Sequence, residues 1–166
     1  FNLPHIVLQP LTRGNAGYET QDLKPIYFFQ STPNLLMVRN DSPFKTLNDL
    51  IVYAKEHPGV VTAGGSGSSS ANDLGVQLLN KAAGIKITYI PFTGTGAAVP
   101  ALLGGHVGAL MTYSPMAVQY QGKFRPLAIM SDERMEVIPD VPTFKELGYD
   151  IVEGAYRGVA APPGTP

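Results

Sequence analysis

VVTAGGSGSSSANDLGVQLLNKAAGIKITYIPFTGTG, residues 60–96, contains one arrangement twice. The β-branched opening at 60–63 predicts a short strand, and the Gly/Ser run at 64–70 follows it as a loop. Ala71–Ala83 carries apolar residues at helical spacing and stops at Gly84. Residues 85–90 then predict a second strand, and 91–96 a second loop of small residues. A short helix follows, to about Leu103, before Gly104 and Gly105. Strands and helices alternating at such short spacing predict a mainly parallel α/β sheet with helices on both faces. Ligands of such sheets lie at the carboxyl ends of the strands, where loops lead into helix N-termini.

Outward from this stretch the same rhythm continues. Residues 35–38 (LLMV) read as a buried strand. Residues 47–57 place Leu47, Leu50, Ile51 and Ala54 on one helical face, with Ser42 or Thr46 as cap and Pro58-Gly59 as stop. Further strands are expected at 107–111, 126–130 and 158–161, a short helix at 115–120, and a helical turn or two at 143–147. Residues 1–34 are broken by Pro4, Pro10, Gly14, Gly17, Pro25 and Pro33 and read as connection, with only PIYFF at 25–29 extended. The start, FNLPHIVLQP, and the end, APPGTP, read as cuts within a longer chain, with any targeting segment outside it.

Composition narrows the function. The chain has 166 residues, 44% of them apolar, enough for one medium domain. Twelve basic residues against 13 acidic give a net charge of −1, and the cations are scattered, which argues against nucleic-acid binding. No cysteine is present, so disulfides, thiolate metal sites and cysteine nucleophiles are excluded. The longest weakly polar run, 97–111, is too short to span a bilayer and is interrupted by Pro100, Gly104, Gly105 and His106.

Three loops fall at the expected carboxyl ends: Gly65, Ser66, Gly67, Ser68, Ser69 and Ser70; Thr93, Gly94, Thr95 and Gly96; and Thr112, Tyr113 and Ser114. Glycines let the backbone approach a ligand, helix N-termini offer free N–H groups and a positive dipole end, and hydroxyls add rotatable donors. No Asp, Glu, Lys or Arg occurs between Lys86 and Lys123, so a site built here would hold an anion without ion pairs. Two plainer readings stand beside it: a Gly/Ser turn with Ser70 or Asn72 as an ordinary N-cap, and the buried middle of a sheet domain. Sharper motifs fail. A P-loop lacks its Lys, a nucleophile elbow lacks Gly at Ser68, and a dinucleotide fingerprint has Ser70 in its third Gly position. His5, His57 and His106 have no acid or Cys at triad or metal spacing, so neither a catalytic residue nor a metal is assigned.

YIPFTGTGAAVPALLGGHVGALM, GKFRPLAIMS, and PDVPT with the closing RGVAAPPGT resemble, in this order, the periplasmic solute-binding proteins of tripartite tricarboxylate transporters, the Bordetella uptake gene type. The resemblance runs from about Tyr18 to Pro166. It implies a periplasmic-binding-protein-like (type II) lobe of a two-lobed venus flytrap. Residues 1–34 would trail from the first lobe, 35–38 would cross the hinge, 39–156 would build the second lobe, and 157–166 would return. It also implies the three loops above as ligand contacts, a small di- or tricarboxylate as ligand, membrane permease subunits as partners, the periplasm as location, and no cofactor. Ala71-Asn72-Asp73 depart from the His often found after the serines, and Gly108 and Thr112 from acids or glycines common there, which bears on ligand identity. An excerpt of this kind is expected to bind weakly and to self-associate. A ligand-sensing regulatory domain and a transferase using the Gly/Ser loop as an anion hole are the competing readings.

Overall fold

The computed structural model describes residues 2–12 and 14–165; Phe1, Arg13 and Pro166, which fall in the expected first-lobe and return segments, lie outside the described residues. In chain order the elements are β1 (Asn2–Leu3), α1 (His5–Thr12), a 3-10 turn (Thr20–Asp22), β2 (Lys24–Arg39), α2 (Leu47–Glu56), β3 (Thr62–Ser66) and α3 (Ala71–Ala83). They continue with β4 (Thr88–Phe92), α4 (Thr95–Leu103), β5 (Ala109–Tyr113), α5 (Pro115–Gln119), β6 (Phe124–Ile129) and β7 (Gly154–Ala161). The strands form one sheet in the order β1-β7-β2-β5-β3-β4, with β6 also on β2. The half that carries the loops, β5-β3-β4, is parallel as expected. On β2 the partners β5, β6 and β7 all run antiparallel, so the sheet as a whole is mixed rather than mainly parallel.

Period-two alternation sends side chains to two covered faces. Leu36 and Val38 of β2 and Met111 of β5 pack with α2 and α3, through Leu50, Ile51, Val76 and Leu79. Leu35, Met37 and Leu110 pack on the other face with α4 and α5, through Ala98, Leu102 and Ala117. Helices therefore cover both faces, and Leu35–Val38 have no exposed surface at all. Local chemistry sets the helix ends. Of the two offered caps for α2, Thr46 takes the role, its hydroxyl accepting from the Asp49 amide at 3.2 Å while the Asp49 carboxylate accepts from the Thr46 amide at 2.9 Å. α3 ends on Gly84 at φ 62°, a left-handed cap.

Three differences from the expectations have physical causes. PIYFF and LLMV belong to one 16-residue strand, because Pro25 lies beside a register shift and Pro33 sits opposite Gly154, whose Cα leaves no room for a side chain against the Thr32 carbonyl. Pro10 does not prevent α1: the carbonyl it leaves without a helical donor, that of Ile6, accepts instead from Tyr18 Oη at 3.2 Å and Thr20 Oγ1 at 3.4 Å. Thr143 makes an isolated bridge to Ile129 and residues 144–148 form consecutive turns instead of a helix, held by a Thr143–Glu146 pair of reciprocal bonds around fully buried Phe144.

Candidate functional site

β3, β4 and β5 end on one edge of the sheet, and each runs further toward that edge than expected. Gly65 and Ser66, Pro91 and Phe92, and Thr112 and Tyr113 are strand residues rather than loop residues. At Gly65 a Cβ would lie 2.6 Å from Tyr89 Oη and 2.9 Å from the Met111 carbonyl, so this glycine makes room for packing.

The entry to α3 is an internally bonded turn. Gly67 (φ 63°) and Ser69 (φ 58°) both adopt the left-handed region, where glycine is at ease and serine is strained. Ser69 is held there by its amide donating to Asp73 Oδ2 at 2.9 Å, and its hydroxyl lies 3.0 Å from Thr12 Oγ1 of α1. The Ser66 amide and hydroxyl both donate to Asn72 Oδ1, at 3.1 and 2.6 Å, and the Gly67 amide donates to the Phe92 carbonyl at 2.7 Å. Asn72 is completely buried and donates to Asn34 Oδ1 at 2.9 Å, while Asn34 donates to the Ala71 carbonyl at 2.7 Å. Ser70, not Asn72, is the N-cap. Tyr89 Oη donates to the Gly67 carbonyl at 3.0 Å, and burial pushes its phenol well above the usual range, keeping it a protonated donor. Ser68 alone of the serines in this turn is exposed.

The entry to α4 is different. Gly94 is the N-cap with an extended backbone and no capping side chain, and the first turn contains no acidic residue. The first N–H groups of a helix have no intrahelical acceptor, so Thr95 and Gly96 present theirs outward. A Cβ at Gly94 or Gly96 would meet nothing within 4 Å, and Thr93 and Gly96 are exposed. This end of α4 is therefore an open donor set with an unopposed dipole.

The third group divides between the two faces of the sheet. Thr112 follows Leu110 by two residues and lies on the α4 face; it is buried, and its hydroxyl has no hydrogen-bond partner among the described residues. Ser114 is also buried, its amide donating to the Pro33 carbonyl at 3.1 Å. Tyr113 stands opposite Asn34 on the α3 face, and the guanidinium of Arg157 from β7 lies over its ring, 6.0 Å from the centroid. Thus the structure gathers Gly67, Ser68, Ser69, Ser70, Thr93, Gly94, Thr95, Gly96 and Tyr113 around one edge, with Gly65, Ser66, Thr112 and Ser114 behind it. Sequence reasoning missed Asn34, Tyr89 and Arg157. A lone amide before the apolar LLMV run is a legible sign of a buried polar network, whereas Arg157 carries no local signal. Among the described residues no group of His, Asp or Glu is arranged to hold a metal ion, and no helix is long and apolar enough to cross a membrane.

Backbone donors and hydroxyls at strand carboxyl ends, with no acidic residue at the α4 entry, suit a small anion. The sequence profile of the tripartite tricarboxylate transporter family receptor matches residues 4–166. BugT of Bordetella pertussis is 34% identical over 148 residues, 87% of this chain and 45% of its own length. The UPF0065 protein in the gbd 5' region of Cupriavidus necator is 40% identical over 132 residues, 78% of this chain and 40% of its own. The chain thus spans about half the length of the curated relatives it matches, or less. A ligand-free TctC solute-binding protein from Polaromonas superposes with a TM-score of 0.82 at 32% identity, covering 100% of this chain and 57% of that one. MatC from Rhodopseudomonas palustris with bound malate gives 0.77 at 32%, and an R. palustris protein with adipate 0.81 at 30%; each covers 90% of this chain and 52% of the other. With the profile spanning nearly every residue and the fold shared along the whole chain, this protein belongs to the tripartite tricarboxylate transporter receptor family, the Bug/TctC solute-binding proteins.

Proposed function

We propose that this chain builds one wall of the ligand cleft of a periplasmic receptor that captures a small organic di- or tricarboxylate and delivers it to the permease subunits of a tripartite transporter. The observation that carries the reading is the α4 entry: an uncapped helix N-terminus without acidic residues, at the carboxyl edge of a parallel strand pair, beside a second helix entry. The malate- and adipate-bound neighbours support a carboxylate as the ligand class. Carboxylate oxygens accept from the Thr95 and Gly96 amides and from the hydroxyls of Thr93, Thr95 and Ser68, with no cofactor required. In this reading residues 35–38 of β2 and residues 157–161 of β7 are the strands that cross between two lobes, residues 39–156 form the lobe seen here, and residues 1–34 belong with the other. The burial pattern along β2 supports the division, exposed from Lys24 to Ser31 and buried from Asn34 to Val38. Closure would then be favoured because a bound ligand touches both lobes at once.

Calorimetric titration of the complete gene product with succinate, malate, adipate and citrate tests this, with glucose and arginine as controls. Saturable binding of at least one carboxylate and of neither control is expected. Binding of arginine or glucose with no response to any carboxylate would overturn the reading.

A further inference from the structure

Arg157 has surroundings that differ from those of the ion-paired arginines. Arg39 pairs with Asp41 and Arg134 with Glu146, whereas no Asp or Glu lies within ion-pair distance of Arg157 among the described residues. Its Nη1 donates to two neutral acceptors, Gln30 Oε1 and Thr32 Oγ1, both at 3.0 Å. Those bonds fix the guanidinium across the β2–β7 pair, where Arg157 stands directly opposite Gln30.

Strand geometry says which way the group faces. Gln30, Thr32 and Asn34 alternate onto one face of β2, and Asn34 reaches the α3 entry through Ala71 and Asn72. Tyr113 stands opposite Asn34, and the Arg157 guanidinium lies over its ring. A continuous polar row therefore runs from the α3 entry through Asn34 and Tyr113 to Arg157. It ends in a half-buried cation whose Nε and Nη2 face no carboxylate of the described residues. An arginine oriented by neutral hydrogen bonds and a ring, and not neutralised by an acid, keeps its fork free for a planar anion.

We infer that Arg157 is the charge-reading residue of the cleft: it takes one carboxylate of a dicarboxylate whose other carboxylate rests on the uncharged α4 entry. This rests on the carboxylate-receptor reading above. Neutral donors alone hold a single carboxylate, whereas a cation at the far end of the row makes two carboxylates better than one. A monoanion of the same length loses that contact.

The test is calorimetry on the complete gene product with adipate and its monomethyl ester, in the wild type and in Arg157→Gln and Arg157→Lys. The wild type is expected to prefer adipate over the ester at least tenfold, and Arg157→Gln to bind the two within about threefold of each other. Arg157→Lys recovers part of the preference, since it keeps the charge and loses the fork. Between about 0.02 and 0.5 M NaCl the adipate affinity of the wild type falls and that of Arg157→Gln stays flat. Thermal melting of each variant separates misfolding from lost recognition, and if Arg157→Gln melts early, the Arg157→Lys preference decides. An unchanged adipate preference in folded Arg157→Gln, or an equal loss for both ligands, overturns the role of Arg157 and leaves the receptor reading intact. A wild type that binds neither adipate nor its ester, while binding malate or succinate, overturns the role of Arg157 in reading a chain of this length. No response to any carboxylate removes both readings.

Discussion

The two helix entries at the carboxyl edge share a composition of glycine and hydroxyl residues, yet they are built for different work. At α3 the Ser66, Gly67 and Ser69 amides are consumed by Asn72, Phe92 and Asp73, and the Asp73 carboxylate already sits in the first turn of the helix. At α4 there is no capping side chain, no acid in the first turn and no crowding at Gly94 or Gly96. The first loop is a rigid platform that satisfies itself, and the second is an open donor set. Composition alone does not separate the two. What does is whether a following side chain, here Asn72 and Asp73, is placed to take the donors.

The contrast can be broken most severely at the platform. Asn72→Ala leaves the Ser66 amide and hydroxyl and the Asn34 side-chain oxygen Oδ1 without their buried partner, which is expected to cost about 3 kcal/mol of stability. Urea denaturation measures it, and a loss under about 1 kcal/mol would show that the platform tolerates an open network. Next comes Gly96→Asp in the open set. A carboxylate at the second helical position suits the helix itself but repels a bound anion, so affinity should fall at least tenfold, about 1.4 kcal/mol, with stability unchanged or slightly higher. Equal affinity in calorimetry would place the ligand elsewhere. The smallest effect is Asp73→Asn, which keeps an acceptor for the Ser69 amide and removes the competing charge. Affinity for a dicarboxylate should rise about two- to fivefold, in line with a first-turn charge worth about 0.3–1 kcal/mol. A fall in affinity would mean that Asp73 positions the loop more than it opposes the ligand.

Much of the fold was legible, and the errors share a cause. Period-3.6 patterns in Leu47–Glu56 and Ala71–Ala83 and the stop at Gly84 placed α2 and α3 within a residue. All three parallel strands were read about two residues too early, for β3 and β4 because Gly64, Gly65 and Pro91 look like strand breakers. Tertiary context overrides them: Gly65 yields space to Tyr89 and Asn72, and Pro91 lies on β4, the edge strand, where a missing N–H is harmless. α1 was missed for a related reason, since the carbonyl opened by Pro10 is satisfied by Tyr18 and Thr20 from a distant turn. The candidate site was legible as a place but not as a division of labour. Arg157 reaches it only because β7 pairs with β2, a contact between residues far apart in sequence. The same pairing leaves Ile26, Tyr27, Phe28 and Phe29 between 47% and 66% exposed, whereas Leu35–Val38 show no exposed surface. The chain Phe1–Pro166 on its own is therefore expected to self-associate in sedimentation, and Tyr27→Lys with Phe29→Lys to reduce it. A strict monomer at high concentration would count against that surface being adhesive.

The most direct test of the central claim, that a carboxylate is held at the α4 entry, is site-resolved amide hydrogen exchange of the complete gene product with and without saturating dicarboxylate. Slowed exchange is expected at Thr95 and Gly96, with little change at Ser66, Gly67 and Ser69, whose amides are already bonded within the protein. Protection confined to the groove between α5 and residues 137–141, with the α4 entry exchanging as before, would contradict it.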